Sequence, residues 1–252
     1  GFPAIIWAFL WWRLVVDRPK DAKWLTNDEK HDLLAQLDIE QQSIKPVKNY
    51  AVAFRSRIVI LLCLQYALWC IGVYGFVMWL PSILNAAPGS DIVKTGWMAS
   101  VPYLLAIIGM LTASYFSDKT LKRKSFIWPF LLIGSLAFYG SYLIGSSNIW
   151  LSYVLLVIAG GAMYAPYGPF FAVITEVLPR NVSAGAIALI NSMGALGSFL
   201  GAYIVGYLNG TTGGFGASYI FMAGSLFVSA ILTIIALKRN LSVLPSQNHH
   251  LS

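Results

Sequence analysis

The chain has 252 residues, 58% apolar and only 11% charged, with a mean hydropathy of +0.68. Soluble domains are near half apolar and a quarter charged, so this composition excludes an ordinary water-soluble fold and points to a polytopic membrane protein. The net charge of +7 is confined to alternate loops, so membrane topology and anionic lipid explain it better than nucleic acid.

The first apolar run, Gly1 to Val16, is interrupted only by Arg13. A secretory leader carries its positive charge ahead of the apolar stretch, whereas Arg13, Asp17 and Arg18 follow Trp11 and Trp12 here. The run therefore reads as the end of a membrane helix, and the chain as a fragment preceded by further sequence. Residues 17 to 57 form the long polar segment and hold 7 of the 10 acidic residues. Within it, Thr26 to Glu29 (TNDE) matches a capping box with Thr26 as N-cap, and Leu33, Leu34 and Leu37 mark one face of a short amphipathic helix. Such a helix serves either as a hinge between two membrane halves or as a solvated linker, and both readings stay open.

Six uncharged runs follow: Ile58 to Ala87, Gly96 to Ser117, Ser125 to Ile144, Ile149 to Thr175, Asn181 to Leu208 and Gly216 to Leu237. Each is long enough to cross roughly 30 Å of hydrocarbon as a helix. The 17 Lys and Arg fall in alternate loops, with the exception of Lys94. By the positive-inside rule the basic loops, including Asp118 to Lys124, and the C-terminus face the cytoplasm. The uncharged stretches Ser146 to Asn148 and Asn209 to Gly216 then face the other side.

Glycine and proline mark two of the runs. Ala159 to Phe171 (AGGAMYAPYGPFF) holds two prolines, which cannot donate to a helical ladder, so a break is predicted there. Gly194, Gly197 and Gly201, with Ala195, Ser198 and Ala202, form small-residue faces that favour close helix packing over ligand contact.

Reactive chemistry is scarce. No Asp, Glu, Lys, Arg or His stands in the middle of the six runs, so no catalytic pair is expected and the chain does not read as an enzyme. His31, His249 and His250 lie in polar segments and predict no metal site, and Cys63 and Cys70 read as reduced packing residues. What the runs do contain is neutral and polar: Gln65, Tyr66, Trp69 and Tyr74, then Tyr164 and Tyr167, then Asn191 and Ser192. A buried amide needs a partner or a wet cavity, so Gln65 and Asn191 are either interhelical hydrogen bonds or the walls of a polar site. Amides, phenols and an indole together suit a hydroxylated ligand.

Ser117 to Lys124 (SDKTLKRK) resembles the loop between helices eight and nine of the major facilitator superfamily, with Ser114 where a glycine is usual. Asp17 to Lys30 (DRPKDAKWLTNDEK) and Leu178 to Gly213 resemble the superfamily's anion:cation symporter family, and the second stretch is similar to 2-ketogluconate transporters. The resemblance implies an all-α fold: the C-terminal six-helix half of a twelve-helix bundle over residues 58 to 239. Residues 1 to 16 would end helix six, 17 to 57 would form the cytoplasmic loop between halves, and 240 to 252 a cytoplasmic tail.

The same resemblance implies secondary transport of a carboxylate, a sugar acid such as 2-ketogluconate, with proton or sodium coupling, no cofactor, and a location in the bacterial inner membrane. It implies that Gln65 and Asn191 bind sugar-acid hydroxyls, and that the charged groups for carboxylate and cation lie in a missing N-terminal half. In such transporters two halves rock about a midplane site, for which a latch at the cytoplasmic edge is expected from Asp118, Lys119 and Arg123. Alternatives are an anion exchanger of the same fold and, from the seven visible segments, a seven-helix receptor.

Overall fold

The computed structural model describes residues 2–16, 19–42, 54–85, 91–178 and 180–237. The chain divides into two compact units, Gly1–Pro46 and Val47–Ser252.

The first unit holds helix α1 (Phe2–Leu14), a 3-10 turn at Pro19–Asp21 and helix α2 (Asn27–Gln42). The side chains of α1 are exposed throughout. The capping box forms as its spacing predicts: Thr26 N donates to Glu29 Oε2 at 2.9 Å and Glu29 N to Thr26 Oγ1 at 3.3 Å. Leu33 and Leu34 are exposed on α2. The side chain of Leu37, with Asp17, Arg18 and the tail from 238 onward, lies outside the described residues.

The second unit consists of α3 (Arg57–Asn85), α4 (Ile92–Thr120), a 3-10 turn at Arg123–Phe126, α5 (Trp128–Ile144), α6 (Ile149–Tyr164), α7 (Tyr167–Val177), α8 (Arg180–Thr212) and α9 (Gly216–Ala236). Six helical spans among them are long and apolar enough to cross a membrane, with α6 and α7 making one span together. Among the described residues there is no strand. Two boundaries differ from the sequence expectation. Asp118 and Lys119 belong to the last turn of α4, which stops only at Leu121, in the left-handed region at φ 55°. Asn209 to Thr212 extend α8 rather than forming loop, and the hydroxyls of Thr211 and Thr212 are satisfied within the helix by the carbonyls of Tyr207 and Leu208.

Helix α3 is the centre of this bundle, with Trp69, Phe76, Leu62 and Leu80 among its fully buried side chains. It packs most extensively against α8. A Cβ on Gly197 would stand 2.2 Å from Ala67 O, and one on Gly201 2.4 Å from Ile71 O, so the two backbones touch only because these positions are glycine. On another side Gly72 leaves room for Leu226 of α9, and Ser229 Oγ donates to Gln65 O at 2.9 Å. Further hydroxyls tie the bundle together: Ser135 Oγ to Ala223 O at 2.7 Å, Ser218 Oγ to Val205 O at 3.1 Å and Tyr153 OH to Met98 O at 2.9 Å. Such small-residue contacts and hydroxyl bonds hold helices where lipid is as apolar as the side chains.

The predicted break is present. α6 ends at Tyr164, Ala165 and Pro166 turn, and α7 begins at Tyr167. Pro166 and Pro169 carry no N–H, so the carbonyls of Ala162 and Ala165 lose their helical donors. α4 lies close against both arms: Gly160 and Gly161 make room for Pro102 and Leu105, and a Cβ at Gly168 would stand 2.2 Å from Ser114 Oγ. The glycine expected at position 114 is thus exchanged for one on the facing helix.

Candidate functional site

At the break the aromatic residues of α3, α6 and α7 converge. Trp69 is fully buried; its Nε1–H donates to Met163 O at 2.8 Å, and its ring centroid is 4.5 Å from Tyr167 and 5.5 Å from Phe170. Tyr66, one turn earlier on α3, stacks on Phe170 at 5.0 Å and lies edge-on to Tyr167 at 6.4 Å. Tyr164 stacks on Tyr167 at 5.7 Å and meets Tyr103 of α4 at 6.1 Å. Tyr74, two turns further along α3, is 39% exposed.

Helix α8 approaches the same cluster through Gly194, where a Cβ would stand 2.3 Å from the Tyr66 ring. Asn191 and Ser192 sit one turn before this contact and are exposed; Ser192 Oγ bonds Ala188 O at 2.9 Å. Four of the eight expected ligand residues, Tyr66, Trp69, Tyr164 and Tyr167, therefore meet in one aromatic cluster, while Tyr74 lies two turns further along α3 and Asn191 is exposed on α8. Ser192 points its hydroxyl back into its own helix.

Gln65 stands apart. Its side chain is wholly buried, and neither its Oε1 nor its Nε2 has a hydrogen-bond partner. An orphan amide of this kind costs roughly 1–3 kcal/mol per unpaired group. The structure thus places Gln65 in neither of the two situations anticipated for it: it makes no interhelical bond through its amide, and it does not open onto the surface.

Charged groups gather at the far end of α4. Arg123 forms an ion pair with Asp118, donates through Nε to Glu176 Oε1 at 2.9 Å and through Nη1 to Ser117 Oγ at 3.2 Å. Lys124 Nζ reaches Ile234 O of α9 at 3.1 Å. Of the three expected latch residues, Asp118 and Arg123 are brought together, whereas Lys119 is exposed and joins no ion pair among the described residues.

Sequence reasoning missed Glu176, Phe170 and Tyr103. A lone acid ending an apolar run opposite a basic turn is a readable signal for Glu176. Phe170 lies three residues after Tyr167, hence on the same helical face, but nothing local to α4 marks Tyr103. No cluster of three metal-ligating side chains occurs among the described residues, and Cys63 and Cys70 are free and buried. A separate cavity of ≈ 330 Å³ lies at the opposite end of the bundle, between Ser141, Ser152, Tyr153 and Tyr219; it holds none of the expected site residues.

The profile of the Major Facilitator Superfamily matches residues 1–202 and again residues 89–250. The chain is 30% identical over 92% of its length to a protein named "Putative tartrate transporter" of Agrobacterium vitis, covering 51% of that protein. It is 28% identical over 93% of its length to the quinolone resistance transporter of Acinetobacter baumannii, covering 54% of it. It is 27% identical over 65% of its length to a protein named "Probable galactarate/D-glucarate transporter GudP" of Bacillus subtilis, covering 37% of it. The chain spans about half the length of the curated relatives it matches. Six membrane-length helices, a proline-broken span and a basic turn after α4 accord with these matches, and the chain belongs to the Major Facilitator Superfamily.

Proposed function

We propose that this chain forms the C-terminal half of a transporter that moves a hydroxylated organic acid across a membrane by alternating access. The observation that carries the reading is the neutral aromatic cluster at the α6–α7 break, with Tyr74 and Asn191 exposed on the helices α3 and α8 that pack around it. Phenols and an amide give donors and acceptors for vicinal hydroxyls and a flat apolar wall for carbon, but no positive charge for a carboxylate. The cationic group for the carboxylate and the site for a coupling proton or sodium ion are assigned to the remaining half of the transporter. The relatives named for tartrate and for galactarate and D-glucarate support an acid bearing hydroxyls. A sugar acid such as 2-ketogluconate falls within that class, with proton symport as the driving reaction. The basic turns face the cytoplasm in this reading, as does the C-terminus, in a bacterial inner membrane.

The ion-pair cluster serves as a latch. Arg123 joins the end of α4 through Asp118 to the end of α7 through Glu176, so it restrains the lower arm of the broken span.

Purified full-length transporter in proteoliposomes tests the reading. Labelled 2-ketogluconate, tartrate and galactarate are offered under an imposed proton or sodium gradient. Accumulation of at least one acid driven by the inward cation gradient is expected. Flux that depends on internal anion and ignores the cation gradient would replace symport by exchange. The relative named for quinolone resistance favours one second reading, in which the aromatic wall takes a planar drug. Fluoroquinolone efflux without movement of any acid would overturn the acid.

A further inference from the structure

Trp69 combines two kinds of contact that no other described residue joins across the break. Its indole N–H is bonded to Met163 O, in the last turn of α6, and its ring lies against Tyr167 and Phe170, in the first turn of α7. One rigid side chain on α3 therefore grips both arms of a span whose own backbone is interrupted between them. It is fully buried, and its only polar atom is already bonded.

We propose that Trp69 is a positioning residue, a splint across the α6–α7 break that sets the angle between the two arms, and that it does not contact substrate. Three physical points carry this. A helix interrupted by Pro166 and Pro169 has lost the carbonyl–amide bonds that normally hold its direction, so its bend is set by whatever packs across it. An indole is large and stiff, with two side-chain torsions, so contacts at its two ends are held at a fixed separation. Finally, its anchor does not yield: α3 is locked to α8 by backbone contact at Gly197 and Gly201, so a force at Trp69 is transmitted to the bundle rather than absorbed by a sliding helix. The last turn of the lower arm, α7, carries Glu176 of the ion-pair cluster, so the ring of Trp69 and Arg123 hold the same arm at its two ends.

The inference rests on the transport reading only for its consequence in turnover, and the primary measurement is independent of any substrate. Nitroxide labels are placed at the exposed positions Leu151 on α6 and Thr175 on α7 of the full-length protein, and their distance distribution is recorded by pulsed electron resonance. The distribution is compared with that of W69F and of a variant carrying benzothienylalanine at position 69. The second variant keeps the shape of tryptophan and lacks only the N–H, so it remains informative where W69F fails to fold. Loss of one buried hydrogen bond is expected to shift the balance of bent and straighter forms by roughly three- to tenfold, about 0.7 to 1.4 kcal/mol. In the acid-uptake assay the same variants should lose turnover by a similar factor while the binding constant moves less than about twofold. An unchanged distance distribution in the benzothienylalanine variant overturns the splint. So does a binding constant that weakens as much as turnover, which would make Trp69 a substrate contact. Failure of every acid to be transported would refute the proposed function and leave the distance measurement to decide the splint by itself.

Discussion

Helix α3 makes two contacts built on opposite plans. Against α8 it presents backbone: Ala67 O and Ile71 O occupy the places where side chains of residues 197 and 201 would stand. Against the α6–α7 break it presents its largest side chain, Trp69, reaching over a gap in another helix's hydrogen bonding. The first contact has no side-chain freedom to lose, and it makes α3 and α8 move as one body. The second holds the short arm α7 through side chains, Trp69 and Tyr66 against Tyr167 and Phe170 at one end and the ion pairs of Arg123 at the other. In a bilayer the hydrophobic effect does not choose between these outcomes, because separated helices find lipid equally apolar; the shape of the contact does.

The largest effect is expected at the seam. Gly197→Val is expected to destabilise the bundle by about 3 kcal/mol or more, the upper end for overpacking, because the obstacle is the backbone of Ala67 and cannot rotate away. Thermal unfolding in detergent measures it, with Gly224→Ala as control. Position 224 is helical with nothing within 4 Å of a new Cβ, and alanine there should stabilise by roughly 0.5–1 kcal/mol. An equal response at both glycines removes the seam from the argument.

Next comes the break itself. Pro166→Ala restores an N–H inside a helical span, so stability should rise by up to about 3 kcal/mol while uptake turnover falls. A variant that is more stable and transports at the native rate would show that the break is a packing accident.

Apart from both regions, though on the same helix, is the orphan amide of Gln65. Gln65→Met replaces the unpaired group by an apolar side chain of similar length and is expected to stabilise the resting protein by roughly 1–3 kcal/mol. If the amide finds its partner in the substrate, as the resemblance implies, acid binding weakens in Gln65→Ala and Asn191→Ala by roughly three- to a hundredfold, about 0.7 to 2.7 kcal/mol. Lower stability with intact binding would instead make Gln65 an interhelical tie. Calorimetry and equilibrium binding on the same preparations separate the two.

A smaller stability effect is expected at the lower end of α7. Asp118 is 68% and Glu176 46% exposed, so solvent screens both pairs and Asp118→Asn should change stability by no more than about 1 kcal/mol. Turnover should drop more than affinity, because the latch biases conformation and does not touch substrate. Equal loss of both, or of neither, would dismiss the latch.

The smallest effect lies outside the bundle and serves as its control. Hydrogen bonds from the backbone and side chain of Thr26 hold the Glu29 carboxyl below its ordinary value of 4.5. A depressed carboxylate stabilises the start of α2 above pH 4.5, and that contribution is lost as pH falls through the lower folded value. Fraying of residues 26 to 29 on acidification, followed by amide resonances, should be present in the native protein and absent from Glu29→Gln.

Several of these features were legible in the sequence because they depend on one element at a time. Run length, the capping box at Thr26 and Glu29, the prolines at 166 and 169 and the glycine spacing at 197 and 201 each state a local physical requirement, and each appears in the structure as a helix, a cap, a break and a close contact. The small-residue face read as packing is packing. The aromatic site was legible as a list of residues in three runs, but not in its composition: Phe170 and Tyr103 join it, and Ser192 turns its hydroxyl away.

Membrane-length helices, their interruptions and the alternation of charge between loops are written in the order of residues, since they follow from hydrocarbon thickness and from groups that a backbone must or cannot bond. Which side of α3 each polar residue faces is instead set by packing between helices. That choice closed Gln65 inside the bundle without a partner, attached Trp69 to Met163 O, and paired Arg123 with Glu176 from a segment 53 residues away. Apolar runs carry little information on rotation about their own axes, because lipid and protein interior accept the same side chains; the rotation is set by glycine contacts and hydroxyl bonds that exist only between helices.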